Sequence, residues 1–447
     1  MKKIHAPRAL GAFAIVALLL GCVSYPERSA AALAAFQSGR FERAREGFAD
    51  EKAIGSPFLS GAEAGTAALT NGEWERALEH FRRAAEAAEE AENRALAGPE
   101  ALAEGLASWA FNDTVRNYDG EGFERVYVHC GLGLAYLALG KVEDVYVEGR
   151  RANQLLESEE KLYEKSYRAG GFGHLLSALA YELLGELDQA YVDYQRMEEK
   201  DVGTGIAWPA LVRLAPLLGR SEERARLEEK YGLAAPPPRD FANVVLLAGI
   251  GLGPFKVGGQ IPVPTPSGLV TVSAASFQAR PQVVTGLRLV DEGGASQESI
   301  LIERVSDVAR ENLQDRLAWQ VAKSVARGLL KRELTQKLEK EWGTGGRVLG
   351  DVFALVTEVP DLRAWLSLPD SWQAARLFVS PGRHRFKLEA IGGEADDLGA
   401  FELAPGETMF VFARTLGTCL YVHVIGGAPV TESQEAGTSE STQGSTP

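Results

Sequence analysis

The sequence predicts an α + β multidomain protein. An N-terminal solenoid of α-helical hairpins is followed by a β-rich, sandwich-like domain with a long helical insert. Three observations lead there. A glycine–small–aromatic spacing recurs through a first half rich in Ala, Leu and Glu. A proline run, "AAPPPRD" at 234–240, stops that texture. Short β-branched and aromatic runs separated by Gly and Pro come after it.

The chain opens on a targeting segment. Lys2, Lys3 and Arg8 form a positive front, residues 9–20 (ALGAFAIVALLL) an apolar core, and Gly21 a small residue ahead of Cys22. An apolar run of 12 residues is shorter than the roughly 20 that cross a bilayer. Leu19-Leu20-Gly21-Cys22 resembles the lipobox of bacterial lipoproteins. That resemblance implies lipidation of Cys22 on sulfur, cleavage before it and acylation of the new amine. Residues 1–21 are then a signal peptide and 22–29 a tether. Acyl burial is worth about 0.8 kcal/mol per methylene, so several chains anchor permanently. Val23 stands where an aspartate favours inner-membrane retention in such lipoproteins, so the expected place is the outer membrane, facing the periplasm.

Charge and cysteine usage narrow the class further. The formal charge is −14, and loss of residues 1–21 removes three cations and no acid, leaving −17. Nucleic acid is excluded as a partner, because phosphate contacts need clustered Lys and Arg. Cys130 and Cys419 lie far apart in different kinds of segment and read as small hydrophobes, not as a disulfide or a metal pair.

Residues 30–233 carry the repeat. Gly39, Ala44 and Phe48 recur as Gly72, Ala77 and Phe81 and as Gly185, Ala190 and Tyr194, with a degenerate copy at Gly140 and Val145. The first two glycines are 33 apart and the next step is 68. This period resembles tetratricopeptide repeats. Glycine ends one helix in a left-handed turn, the small residue lets helices approach, and the aromatic packs on the next hairpin. A lone hairpin cannot cover its apolar face, so hairpins stack and offer a concave surface suited to protein partners. The copy at Val145 and Gly149 departs from the pattern, and the packing of its hairpin is left open.

The linker 234–240 leads into a β-rich domain over 241–425. "FANVVLLAGIGLGPF", "GLVTVSAASFQ", "QVVTGLRLV", "ARLFVS", "HRFKLEAI", "GAFELA", "ETMFVFART" and "CLYVHVI" read as strands. A helical stretch from about Glu298 to Trp342 carries Leu301, Val305, Ala309 and Leu313 on one stripe, so an insert is expected over about 298–358. The tail 426–447 has almost nothing to bury and is expected to be disordered.

Chemistry is sparse. "GIGLGP" lacks the GxGxxG spacing and runs into proline-rich sequence, so a strand-end turn accounts for it. No histidine stands in a two-ligand spacing, and no serine in a GxSxG elbow. The expectation is no enzyme, no cofactor and no metal. Lys323, Arg327 and Lys331 make a basic stripe facing away from the apolar one, which could meet an anionic glycan, a headgroup or an acidic partner.

Several blocks together resemble one family. They are 112–140, 148–156 (EGRRANQLL), 173–194, "GLGPFK" at 251–256, and "DLRAWLSLP" at 361–369 followed by "ARLFVSPGRH". This resembles bacterial lipoproteins with tetratricopeptide-like repeats and a conserved C-terminal domain. Members are often encoded beside a lipoprotein resembling the activator of penicillin-binding proteins. The resemblance implies architecture and location, with no established activity and no catalytic residues. Its Asp-x-Arg-x-Trp-x-x-Leu-Pro element falls at Asp361, Arg363, Trp365, Leu368 and Pro369. A core anchor at Trp365 and a cation beside Asp361 explain it, and a binding role for Trp365 stays open.

The expected function is therefore a membrane-anchored periplasmic scaffold or adaptor. It would bind a protein partner in envelope assembly or maintenance. Tyr118, Glu121, Phe123 and Glu124 would rim the concave groove, with Lys323, Arg327, Lys331 and Trp365 as further contacts. The alternative is a peptidoglycan or envelope-glycan binder acting through the C-terminal domain, with Trp365 and Trp372 stacking on sugar.

Overall fold

The computed structural model describes residues 24–96, 118–163, 168–232, 238–265, 268–314 and 360–430. Outside them lie the lipobox Leu19, Leu20, Gly21 and Cys22, the stripe Lys323, Arg327 and Lys331, most of the proline linker and residues 431–447.

Each hairpin of the helical half turns on a glycine. Gly39, Gly72, Gly140, Gly185 and Gly219 have φ between 70° and 78°, a region that side-chain-bearing residues enter only at a cost. The first separates α1 (Tyr25–Gln37) from α2 (Phe41–Ala49). A one-turn α3 (Glu51–Ile54) leads into α4 (Pro57–Thr70), which Gly72 separates from α5 (Trp74–Leu96). Next come α6 (Gly122–Ala138) with α7 (Val142–Tyr163), and α8 (Gly171–Leu184) with α9 (Leu187–Glu199). The last pair is α10 (Thr204–Leu214), a 3-10 turn, and α11 (Ser221–Tyr231).

The repeat's other positions do what their size dictates. Ala44, Ala77, Val145 and Ala190 are fully buried, as are Phe48, Phe81 and Tyr194 to within 1%. Phe81 sits in a notch between hairpins, where a Cβ on Gly65 or on Gly131 would come within 2.7 Å of its ring. The α5–α6 packing this creates means that the 68-residue interval holds a single hairpin step among the described residues. The irregular copy is also explained. A Cβ at Gly149 would stand 3.0 Å from the Gly173 carbonyl oxygen and from Ser177 Cβ, so α7 and α8 approach too closely for an aromatic there.

The second half forms two five-stranded sheets and a ribbon. One sheet contains β1 (Ala242–Ile250), β6 (Ile300–Arg304), β7 (Ser371–Val379), β10 (Thr408–Leu416) and β11 (Cys419–Ile425), in the order β11-β10-β1-β7-β6. The other contains β4 (Gly286–Asp291), β5 (Ser296–Glu298), β8 (Gly382–Ile391), β9 (Ala395–Leu403) and β12 (Ala428–Pro429). β2 (Phe255–Thr265) and β3 (Gly268–Gln278) make the ribbon.

β1 is buried along its whole length. Val244, Leu246 and Ala248 face the core shared by the two sheets, and Val245 and Leu247 face the helices. A central strand covered on both faces reads as a continuous apolar run. The result is three layers: helical stack, first sheet, second sheet. Phe172 of α8 stacks on Trp372 of β7 with ring centroids 4.2 Å apart, and Trp74 of α5 lies 5.7 Å from Phe412 of β10. Helices of separate hairpins thus bear on the first sheet.

The helical insert starts later than the sequence implied. Residues 300–304 form β6 along β7, with a register shift between Leu301 and Glu303, and the helix covers 305–314 of the described residues. Ile300 and Ile302 fill space left by Gly205, Gly203 and Gly171, which a helix there could not reach. Leu301 of the expected stripe is exposed, whereas Val305, Ala309 and Leu313 are buried. β2 is not among the strands expected from the sequence, and it contains Pro262 and Pro264, which disfavour a strand interior. A two-stranded ribbon has one unpaired edge on each strand, where proline costs no ladder bond.

Two glycine substitutions test this packing. Gly61→Ala would put a Cβ 2.6 Å from His80 O and 2.8 Å from Ala84 N, both backbone. It should lower stability by about 1–3 kcal/mol. Gly133→Ala, whose nearest neighbour is Leu176 Cδ1 at 3.4 Å, should be neutral or stabilising by up to about 1 kcal/mol. Denaturant unfolding of both variants separates the cases.

Candidate functional site

Of the residues singled out in the sequence, Tyr118, Glu121, Phe123, Glu124 and Trp365 lie among the described ones and converge inside the molecule. Between stack and first sheet runs the loop 361–369, an irregular backbone buried on both sides. Every buried N–H and C=O there needs a partner. Side chains from four distant segments supply them. Glu63, fully buried in the middle of α4, accepts from Leu366 N at 2.6 Å and Ser367 N at 3.0 Å, and from Tyr25 Oη at 2.8 Å. Glu124 accepts from Trp365 N at 2.7 Å, Tyr118 Oη at 2.6 Å and Glu121 N at 3.0 Å. The last of these is the capping box that starts α6.

Arginines take the carbonyls. Arg280 Nη1 donates to Leu366 O at 3.0 Å and to Gly253 O at 2.8 Å. Arg414 Nη2 donates to Ser367 O at 3.0 Å, and its Nη1 to Gly249 O at 3.1 Å and also to Gly251 O. Among the described residues, Arg414 has only main-chain carbonyls as hydrogen-bond partners, and burial pulls its pKa down to about 9. The "GIGLGP" turn is thus a strand end held by an arginine, with Gly251 at φ 63°.

A cationic layer seals the edge. Lys256 pairs with Glu121 and stands 5.5 Å above both the Tyr118 and the Phe277 rings. Burial opposes its charge, but Glu121, Asp361 and Glu124 outweigh that and raise its pKa. Arg363 is held by Asp361 at 2.6 Å and covers Tyr118 at 5.0 Å. Trp365 Nε1 donates to Thr66 Oγ1 at 3.1 Å. Tyr118, Glu121, Phe123, Glu124 and Trp365 are each at most 8% exposed. They bind the chain's own layers together and do not rim an open groove. Trp372, at 8%, is likewise covered. Glu63, Arg280 and Arg414 escaped the sequence reading. One signal was available, since Glu63 is the only charge in α4.

Among the described residues, two clefts of several hundred cubic ångströms open on the surface. One, of about 530 Å³, lies among α5, α6 and α7. Its charges alternate. Arg151 Nη1 lies 2.8 Å from Glu148, whose other oxygen is 2.6 Å from His129 Nδ1, and Arg82 donates to Tyr136 Oη at 2.6 Å. The other, of about 600 Å³, lies where α8 and α10 meet the edge of β1 and β7, with Glu182, Arg213 and Arg376 in its wall.

One cluster has the composition of a hydrolytic triad without its wiring. Asp193 accepts from Ser177 Oγ at 2.6 Å and lies 2.8 Å from His174 Nδ1, which is also 3.0 Å from Asn153 Nδ2, so serine and histidine share the carboxylate and do not bond each other's side chains. Ser177 is fully buried. Among the described residues no group of three or more His, Cys, Asp or Glu is placed to hold a metal. No described helix is long and apolar enough to cross a membrane. Cys130 and Cys419 are free thiols.

No protein-family model matches the chain, and no curated protein matches it in sequence. Among solved structures the chain is similar to PilW, described as a widely conserved type IV pilus biogenesis factor. The identity is 14% and the TM-score 0.24, over 46% of this chain and 91% of that one. A likeness of that size carries no argument. The resemblance to a lipoprotein family therefore rests on the quoted blocks alone.

The buried carboxyls give the seam a pH signature. Burial raises Glu124 from its ordinary 4.5 to about 7, and burial also raises Glu63 and Glu303. A carboxyl with a raised folded pKa contributes stability that is present below the unfolded value and lost as pH rises through the folded one. Wild type should therefore lose stability from about pH 4.5 to about 7, and Glu124→Gln should flatten that slope in thermal melts. Glu63→Ala leaves three donors unmet and should cost about 3 kcal/mol or more at any pH in that window.

Proposed function

We propose that the chain is a non-catalytic scaffold of the cell envelope. It is anchored through Cys22 to the outer membrane, faces the periplasm and receives a protein partner on the outward groove among α5, α6 and α7. One observation carries this reading. The stack's inner face is occupied by the chain's own sheet and loop, while two of the blocks that give the family resemblance, 112–140 and 148–156, meet at that groove. Its wall alternates Arg82, Arg125 and Arg151 with Glu86, Glu89 and Glu148. Such a wall complements an extended segment bearing both signs of charge and sets register more than raw affinity. The lipobox supports the anchor, and the miswired Ser177–His174–Asp193 cluster supports a non-catalytic role. The glycan alternative draws nothing from Trp365 and Trp372, whose rings are enclosed.

A photo-crosslinking residue at Gln154, in the groove wall, should yield one discrete adduct in intact cells. Arg151→Glu in the same background should weaken that adduct by about tenfold. Adducts only from the outer faces of the second sheet would contradict the placement. Cys22→Ser should move the chain from the membrane to the soluble fraction. Unchanged maturation and fractionation would refute the anchor.

A further inference from the structure

The second cleft has a charge imbalance that the fold itself does not explain. Glu182 of α8 is shared by two guanidinium groups. Arg376 of β7 grips it with both terminal nitrogens at 2.8 Å, and Arg213 of α10 reaches Oε2 at 2.6 Å. Tyr194 Oη adds a third donor at 2.7 Å, and Arg376 Nε is taken by Asn243 Oδ1 at 3.0 Å. These contacts hold Glu182 ionised, with its pKa at about 2 against the penalty of burial. One carboxylate thus neutralises one of two cations. Arg213 uses only Nη2 on Glu182. Its Nε and Nη1 have no hydrogen-bond acceptor among the described residues, and its guanidinium lies 5.7 Å over the Phe378 ring. Arg239 adds a further cation at the rim.

Apolar side chains make up the other part of the wall, beside these polar groups. Leu179, Leu183, Leu187, Leu217, Phe241 and Phe378 line the cleft, and Leu183 is 39% exposed in a protein whose net charge is −14. A concave site of several hundred cubic ångströms that sets apolar surface beside a few fixed polar groups suits a ligand of drug size. A guanidinium with unused donors in a fixed fork selects a planar oxyanion. A peptide would need main-chain partners along its length. Asn243 is committed to Arg376 and Thr408, and Arg224 to Glu228. A chain of methylenes needs none.

We infer that this cleft binds a carboxylate-headed acyl chain, its head against Arg213 and Arg376 and its tail along the leucine and phenylalanine wall. The site is separate from the partner groove, and its occupancy does not depend on any partner there.

The test is calorimetric titration of the full mature chain with sodium decanoate below its micelle concentration. Binding should saturate at one decanoate per chain. Decanol and decyltrimethylammonium should bind at least about tenfold more weakly, because neither offers the oxyanion. Arg213→Met should lower decanoate affinity about tenfold. Because Arg213 also helps hold Glu182, Leu183→Glu is the second variant. Its side chain is exposed, so the fold is kept, and the new carboxylate should repel the head and lower affinity by a similar factor. The inference is overturned if decanoate and decanol bind alike, or if Leu183→Glu binds as wild type. It is also overturned if a short peptide with an apolar C-terminus binds more tightly and displaces decanoate.

Discussion

A buried loop must have every main-chain polar group satisfied, and the rest of this molecule is arranged around meeting that demand for residues 365–367. The N–H groups of Trp365, Leu366 and Ser367 go to two carboxylates on the helical stack. The carbonyls of Leu366 and Ser367 go to two arginines of the sheet side. Hydrogen bonds to charged groups are worth about 1.5–3 kcal/mol each, and leaving a buried charge unpaired costs more than that. Neither layer can satisfy its own charges alone. Glu63 and Glu124 need the loop, and Arg280 and Arg414 need it from the other side. The stack and the first sheet are therefore one body.

The apolar contacts follow the same division. Phe172 against Trp372, Trp74 against Phe412 and Phe81 against Trp365 all join helix to sheet or loop. They give area, and the ionic network gives register. At the far end of the seam, Arg376 and Glu182 repeat the device, sheet to helix, but with a second arginine and an opening to solvent. That difference sets the junction cluster apart from the sealed one around residues 365–367. A repeat stack normally offers its inner face to others, and here that face is filled from within, so the outward groove and the junction cleft are the large concave surfaces left open among the described residues.

Much of the architecture was legible because its rules are local. A glycine needed at positive φ, a small residue at a helix crossing and an aromatic in a notch all fall at fixed spacing, and Gly39, Gly72, Gly140 and Gly185 announce themselves. Alternating and continuous apolar runs likewise mark β1, β7, β8, β10 and β11. What could not be read was set at long range. Residues 300–304 have helical spacing with the segment after them, yet become a strand because β7 requires an edge partner. Glu63 and Glu124 look like ordinary helix acids. Their role depends on a loop some 240–300 residues away in sequence. Tyr118, Glu121 and Trp365 stand in distinctive motifs, but a motif's distinctiveness does not reveal whether it faces a partner or its own chain.

The central claim is that the 365–367 backbone is sealed between layers by side-chain partners. Native-state hydrogen exchange of the Leu366 and Ser367 amides tests it most directly. The account predicts exchange only through global unfolding, at the same free energy as the amides of β1. Exchange of those two amides at open-loop rates while β1 stays protected would contradict it.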